Sequence, residues 1–372
     1  MSKLLKRKKF MFNIHLLLSI IFTLPLLIIA ISGSIISYES EISDFINSKN
    51  LHVEKTSQSH LKPSEILNKF KEQINSSPVR LQISNDPNRS AKVYKTKAEV
   101  YFVNPYDGKI IAKDESSEFM RTVLVLHRNL GFALFESDDR RVRLAGKHIV
   151  AICTIVLILL CISGIWLYLP LLKRNFIKAS KLNFRLKGYA FFYNLHSVIG
   201  VWLFALLTLI CLTGLYWSYG WYAKSINALF ASKTESKMQK GRLNAVKSYE
   251  GVDKAYEIFK ENKGKEYDRV TLMIGENNST YNIFYWMKDF KNDRAKTIQI
   301  NVHDEKVIFD NAIDAPDPTS KVRLSMYELH TGYYFGEIGK FIWCVASFSV
   351  VIFVLSGFYM TFKRAFKRRK NL

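Results

Sequence analysis

Tyr193-Asn194-Leu195-His196-Ser197-Val198-Ile199-Gly200 opens a long apolar run, and Phe12-Asn13-Ile14-His15 opens another. A shift of 181 residues, from position 15 to position 196, lays one on the other. The same shift brings Ser32-Gly33 onto Thr213-Gly214 and Tyr38 onto Tyr219. A histidine inside a membrane-length segment is costly, and it marks a functional position by default. Two histidines at equivalent places predict a paired site.

Four apolar stretches reach the roughly 20 residues that a bilayer-spanning helix needs: Phe10–Ile36, His148–Leu169, Tyr189–Tyr219 and Phe341–Phe362. Pro25 falls inside the first, where a membrane helix tolerates it with a kink. The net charge of +22 does not point to nucleic acid. Residues 1–9, 171–188 and 362–372 hold seventeen Lys and Arg and no acid, and the remaining segments are nearly balanced. Basic residues at these flanks predict cytoplasmic ends. The expected topology has both termini cytoplasmic. Its parts are transmembrane helices at 1–37, 148–170, 189–219 and 341–362, a cytoplasmic loop at 171–188 and a basic tail at 363–372. Two outer segments fill 38–147 and 220–340. A signal peptide is the weaker reading of the first run, because the run is too long for an h-region and its partner at 189–219 cannot be a signal. Cys153, Cys161, Cys211 and Cys344 all lie in the spans, and no C-x-x-C-H motif provides for covalent haem.

The repetition extends beyond the first and third spans. Gly146-Lys147-His148-Ile149 and Gly339-Lys340-Phe341-Ile342 open the second and fourth, and Ser163-Gly164 matches Ser356-Gly357. An amphipathic segment with Leu-His precedes each: Leu126-His127-Arg128 and Leu329-His330-Thr331. Both outer segments carry a strand–turn–strand signature, Asn104-Pro105-Tyr106-Asp107-Gly108 and Asn301-Val302-His303-Asp304-Glu305. The periodicity predicts helices at 63–70 and 252–259. The fold class expected is a membrane α-helical, four-helix bundle with two extracytoplasmic α+β domains, arranged as a tandem pseudo-twofold repeat.

His15 and His196 lie within two turns of the basic flank, at equal depth in such a repeat. Gly33, Gly214 and Gly200 offer room for close approach or a flat ligand. No Asp, Glu or Cys neighbour completes a zinc or di-iron set. Facing histidines in a helix bundle clamp haem iron from both sides. His127 and His330 form a second equivalent pair, with Arg128, Lys147 and Lys340 near enough to attract haem propionates. His148 is a weaker candidate ligand, since its counterpart is Phe341. His52, His60 and His303 read as surface histidines. The expected cofactor is haem b, two per chain, and two such sites near opposite faces would make an electron path across the membrane.

Asn13-Ile14-His15, Leu126-His127-Arg128, Ser163-Gly164-Ile165-Trp166-Leu167-Tyr168, Tyr193-Asn194-Leu195-His196 and Glu328-Leu329-His330-Thr331-Gly332 together resemble the PepSY-associated transmembrane family, sometimes labelled iron-regulated membrane proteins. The Asn-Pro-Tyr-Asp-Gly hairpin is similar to the end of a PepSY module, and the second copy lacks its Pro and Gly. The resemblance implies a haem-containing inner-membrane reductase that releases iron from a ferric siderophore or other ferric chelate in the periplasm. Its electrons would come from a quinol or a cytoplasmic reductase. Two alternatives compete. One is a non-enzymatic membrane protein that binds or regulates envelope proteins. The other is a siderophore or metal transporter, against which stand only four spans and no charged residue mid-membrane.

Overall fold

The computed structural model describes residues 3–369, apart from 58, 97, 135–139, 232–248, 250, 265, 275–278, 289–294 and 311–317. The helices are α1 (Lys3–Ile36), α2 (Glu39–Ile46), α3 (Pro63–Ile74), α4 (Ser116–Asn129), α5 (Arg140–Arg174), α6 (Phe176–Ala179), α7 (Gly188–Ser218), α8 (Gly220–Phe230), α9 (Val252–Lys263), α10 (Pro318–Thr331) and α11 (Gly336–Arg369). The strands are β1 (Arg80–Ser84), β2 (Ala91–Tyr94), β3 (Val100–Val103), β4 (Ile110–Lys113), β5 (Tyr267–Met273), β6 (Thr280–Met287), β7 (Lys296–Asn301) and β8 (Lys306–Asp310). The chain divides into two compact units, a helical one (1–38, 122–231, 322–372) and a sheet-based one (39–121, 232–321).

In the helical unit α1, α5, α7 and α11 are long and apolar enough to cross a membrane, which makes this a multi-pass membrane protein. Hydrocarbon leaves a backbone no partner but its own, so these apolar runs fold as helices. They outrun the apolar windows. α5 begins eight residues before His148, and α11 continues past Phe362 to Arg369, because Arg and Lys are good helix formers. Leu17, Leu24, Ile162 and Leu355 are among the large apolar side chains left on the outside, as a lipid environment favours. α5 packs on α1 and α7, and α11 packs on α7 and α1, so α1 and α7 face each other across the bundle. Leu26, Ala30, Cys153, Leu207, Ala346 and Val350 form the packed apolar layer at its centre.

In the sheet unit the eight strands make one antiparallel sheet in the order β4-β3-β2-β1-β5-β6-β7-β8. Each outer segment supplies four strands, and β1 pairs with β5 from Arg80↔Met273 to Ser84↔Arg269. Two four-stranded sheets would each expose an inner edge; this pairing removes both. The segments therefore share one core, in which Leu81, Ile83, Val270, Leu272 and Ile283 from the central strands meet Phe70 of α3 and Phe259 of α9. Asp253 ties α9 to α3, accepting hydrogen bonds from the Ser64 backbone N–H (2.8 Å) and hydroxyl (2.5 Å). Buried Asp310 accepts from the Tyr285 hydroxyl at 2.9 Å and pairs with Lys263. The two hairpin turns are built alike: Asn104 and Asn301 side chains accept from the N–H of Tyr106 and His303, each at 2.9 Å. Gly108 sits at φ +75°, and Glu305 takes the same left-handed region at +53° without a glycine.

Candidate functional site

Four of the histidines singled out in the sequence come together as two pairs, all four in the helical unit. His15 on α1 faces His196 on α7 with ring centroids 6.4 Å apart. His127 on α4 faces His330 on α10 at 6.2 Å. All four are half-buried.

Each ring is held through Nδ1. His15 Nδ1 lies 2.8 Å from Ser163 Oγ on α5, and His196 Nδ1 lies 2.8 Å from Ser356 Oγ on α11. His127 and His330 use backbone carbonyls, with Nδ1 at 2.9 Å from Ile29 O and from Ile210 O respectively. A carbonyl only accepts, so both of these rings carry their proton on Nδ1, which leaves Nε2 with its lone pair. His330 Nδ1 has the Thr213 hydroxyl at 3.3 Å as well, and His196 has the Phe353 backbone as a further partner.

Glycine admits the second pair. A Cβ on Gly33 would stand 2.9 Å from His127 Cε1, and one on Gly214 would stand 2.9 Å from His330 Cε1. The sequence led us to associate these glycines with His15 and His196; the fold turns them toward the other pair. Gly200 serves neither, having only Phe353 at 3.9 Å. The glycine beside the first pair is Gly164, whose Cβ would lie 3.5 Å from His15 Cε1. The Ser-Gly dipeptides at 163 and 356 were legible as a repeat but not as imidazole partners.

Ile29 lies fourteen residues beyond His15 on α1, and Ile210 fourteen beyond His196 on α7. At 1.5 Å per residue the two pairs are separated by about 21 Å along the helices, with the apolar layer of Leu26, Leu207, Cys153 and Ala346 between them.

His148 stands apart. It is exposed and packs on Tyr219 with centroids 5.9 Å apart. The Lys340 ammonium is buried over the Tyr38 and Tyr333 rings, at 4.7 and 5.4 Å, with Glu337 at 3.4 Å. His52 and His303 are exposed. His60 corrects the surface reading: it packs edge-on against Tyr106 at 4.6 Å with its Nε2 buried, because the Leu61 N–H bonds to Pro105 O and draws the segment onto the hairpin. Among the described residues no group of three or more His, Cys, Asp or Glu could hold a metal ion.

A bundle of four spans joined to a strand-rich unit, with histidines facing in pairs, defines a class of multi-pass membrane protein. The chain belongs to the PepSY-associated TM region family, whose model matches residues 12–364. A search of curated proteins finds no match.

Proposed function

We propose that this protein is a haem-containing membrane oxidoreductase. The observation that carries the reading is the spacing of the two histidine pairs. Each pair would hold one iron through its Nε2 atoms, which calls for two imidazoles brought from separate helices to within roughly 6 Å of each other. The pairs stand at 6.4 and 6.2 Å. The Nδ1 partners support it further, since a metal-bound histidine fixes its tautomer by donating from its other nitrogen. His15 with His196, and His127 with His330, would each hold one haem b. When bound, the two groups would supply one-electron transfer across the bilayer, from a quinol or cytoplasmic reductase to a ferric chelate such as a ferric siderophore.

The residues of the chain do the rest. The apolar layer between the pairs keeps water and ions out of the roughly 21 Å gap. The basic flanks support a topology in which the His15–His196 pair lies on the cytoplasmic side of an inner membrane and both termini are cytoplasmic. The segments that build the sheet are then periplasmic, and the His127–His330 pair is the outer one. The tandem-repeat reading is supported by contacts that recur at fixed offsets: Ile29 and Ile210 each accept from a histidine, Gly33 and Gly214 each admit one, and Ser163 and Ser356 each hold one.

Protein purified in detergent should show a reduced-minus-oxidised b-type spectrum, with two haems per chain by pyridine haemochrome. His15→Ala or His196→Ala should remove one haem, and His127→Ala or His330→Ala the other. A colourless wild-type protein, or single variants that all retain two low-spin haems, would overturn the proposal.

A further inference from the structure

We infer that Ser163 and Ser356 are positioning residues, which fix the tautomer of His15 and His196 and thereby set the reduction potential of the inner site apart from that of the outer one. The inference rests on the two-haem reading above.

The two pairs are held by different chemistry. The outer rings donate to peptide carbonyls, which no side-chain substitution can remove, with the Thr213 hydroxyl also 3.3 Å from His330 Nδ1. The inner rings meet hydroxyl groups at 2.8 Å, which can donate or accept, and His196 has the Phe353 backbone as a further partner. The Ser163 hydroxyl donates to Leu160 O at 3.2 Å, and the Ser356 hydroxyl donates to Ile352 O at 2.6 Å, with Phe353 O at 3.2 Å. With their protons committed to helix carbonyls, both oxygens present lone pairs to Nδ1, 2.8 Å away in each case. Each serine thus reads the same way: its own helix takes its proton, and it takes the proton of the facing imidazole. Nε2 is left as the free lone pair on both inner rings. The arrangement occurs twice, on α5 and on α11, at matching positions of the two Ser-Gly dipeptides.

An acceptor at Nδ1–H raises the electron density of the imidazole and favours the oxidised metal. Removing it therefore raises the potential. A neutral hydrogen bond of ordinary net strength corresponds to roughly a five-fold change in an equilibrium, which is about 40 mV for one electron.

The measurement is a spectroscopic redox titration of full-length protein in detergent, carried in a His127→Ala/His330→Ala background so that the inner site alone reports. Ser163→Ala should raise the inner potential by about that five-fold factor, Ser356→Ala should raise it by less because the Phe353 backbone remains a partner of His196, and the double variant should exceed either alone. Ser163→Thr keeps a hydroxyl and should restore the parent value. Ser349→Ala, a buried serine of α11 that donates to Ala346 O at 2.6 Å, should leave it unmoved. Should Ser163→Ala release the haem, Ser163→Thr retaining it at the parent potential carries the same conclusion. Alanine variants that keep the inner haem at the parent potential would overturn the inference and leave the two-haem reading standing. A protein that takes up no haem would overturn the reading itself.

Discussion

Gly214→Ala should empty or distort the outer site alone. The added Cβ would stand 2.9 Å from His330 Cε1 and 3.3 Å from Nδ1, where ordinary contact is 3.4–4 Å, so the ring must retreat from α7 by several tenths of an ångström. Its Nδ1 acceptor, Ile210 O, is on the same helix at 2.9 Å. A retreat of about half an ångström or more stretches that bond to the edge of what counts as one, a loss of about 1 kcal/mol. Forcing a methyl into a packed contact adds about 1–3 kcal/mol. Together these weaken the outer site by about 2–4 kcal/mol, or roughly 30- to 900-fold in affinity. Gly33→Ala should act in the same way through His127, since its Cβ meets Cε1 at the same 2.9 Å. Haem stoichiometry and the low-spin signal of the purified variants are the assay, with one haem expected in each. Gly200→Ala is the matched control, a helix glycine whose Cβ would find its neighbour at 3.9 Å. It should keep both haems and gain up to about 1 kcal/mol of helix stability. If Gly214→Ala and Gly33→Ala both keep two haems with unaltered spectra, the close approach of these glycines does not define the site.

Three further outcomes concern the sheet unit. Leu272→Ala, at the fully buried β1–β5 junction, should cost about 2–5 kcal/mol, read as a lower urea midpoint of the full chain in detergent; an unchanged midpoint would mean the two strand sets do not share their core. Asp253→Ala leaves the Ser64 N–H and hydroxyl without their acceptor and should cost about 1–3 kcal/mol, while Asp253→Asn should recover part of it. Burial holds the His60 imidazole below its ordinary value, partly offset by the Pro87 carbonyl. The unfolded chain, titrating near pH 6.5, then binds the extra proton first. Stability should fall as the pH drops through that value toward the lower folded one, and His60→Gln should flatten this part of the profile. Equal slopes for both proteins between about pH 7 and 5 would show that His60 is not the group responsible.

The spans were legible because a bilayer imposes one length and one composition on any helix that crosses it. The histidines were legible because a polar ring in such a helix has no bland reason to recur at the same place. Their partners were not. Ser163 and Ser356 look like ordinary small residues of a membrane helix until the packing of α5 beside α1 and α11 beside α7 brings each hydroxyl to an imidazole. The glycines were assigned to the wrong pair for a related reason. Sequence fixes their distance along α1 and α7 from His15 and His196, but not that α4 and α10 deliver His127 and His330 back onto those helices at Gly33 and Gly214. In the sheet unit, strands and hairpins could be read from alternation and turn residues. The pairing of β1 with β5 could not, because it joins residues as far apart in sequence as Arg80 and Met273 and no turn chemistry encodes it.

The distribution of parts between the two chain halves bears on why the pairs exist at all. Residues before about 180 supply His15, Ser163, Gly33 and His127; residues after it supply His196, Ser356, Gly214 and His330. Every histidine has its Nδ1 partner within its own half: His15 with Ser163, His127 with Ile29, His196 with Ser356, His330 with Ile210. Every facing pair, in contrast, takes one ring from each half. A half thus contains everything needed to orient a ligand and nothing to complete a site. On the duplication reading, an ancestral half would form both sites only as a twofold dimer, and fusion would then free the two sides to diverge. His148 opposite Phe341 is such a divergence, and so is Gly108 opposite Glu305, where the second hairpin keeps the left-handed turn after losing the residue that favours it. Around the paired histidines the halves are closer but not identical: Gly33 matches Gly214 and Ser163 matches Ser356, whereas Thr213, 3.3 Å from His330 Nδ1, stands opposite Ser32.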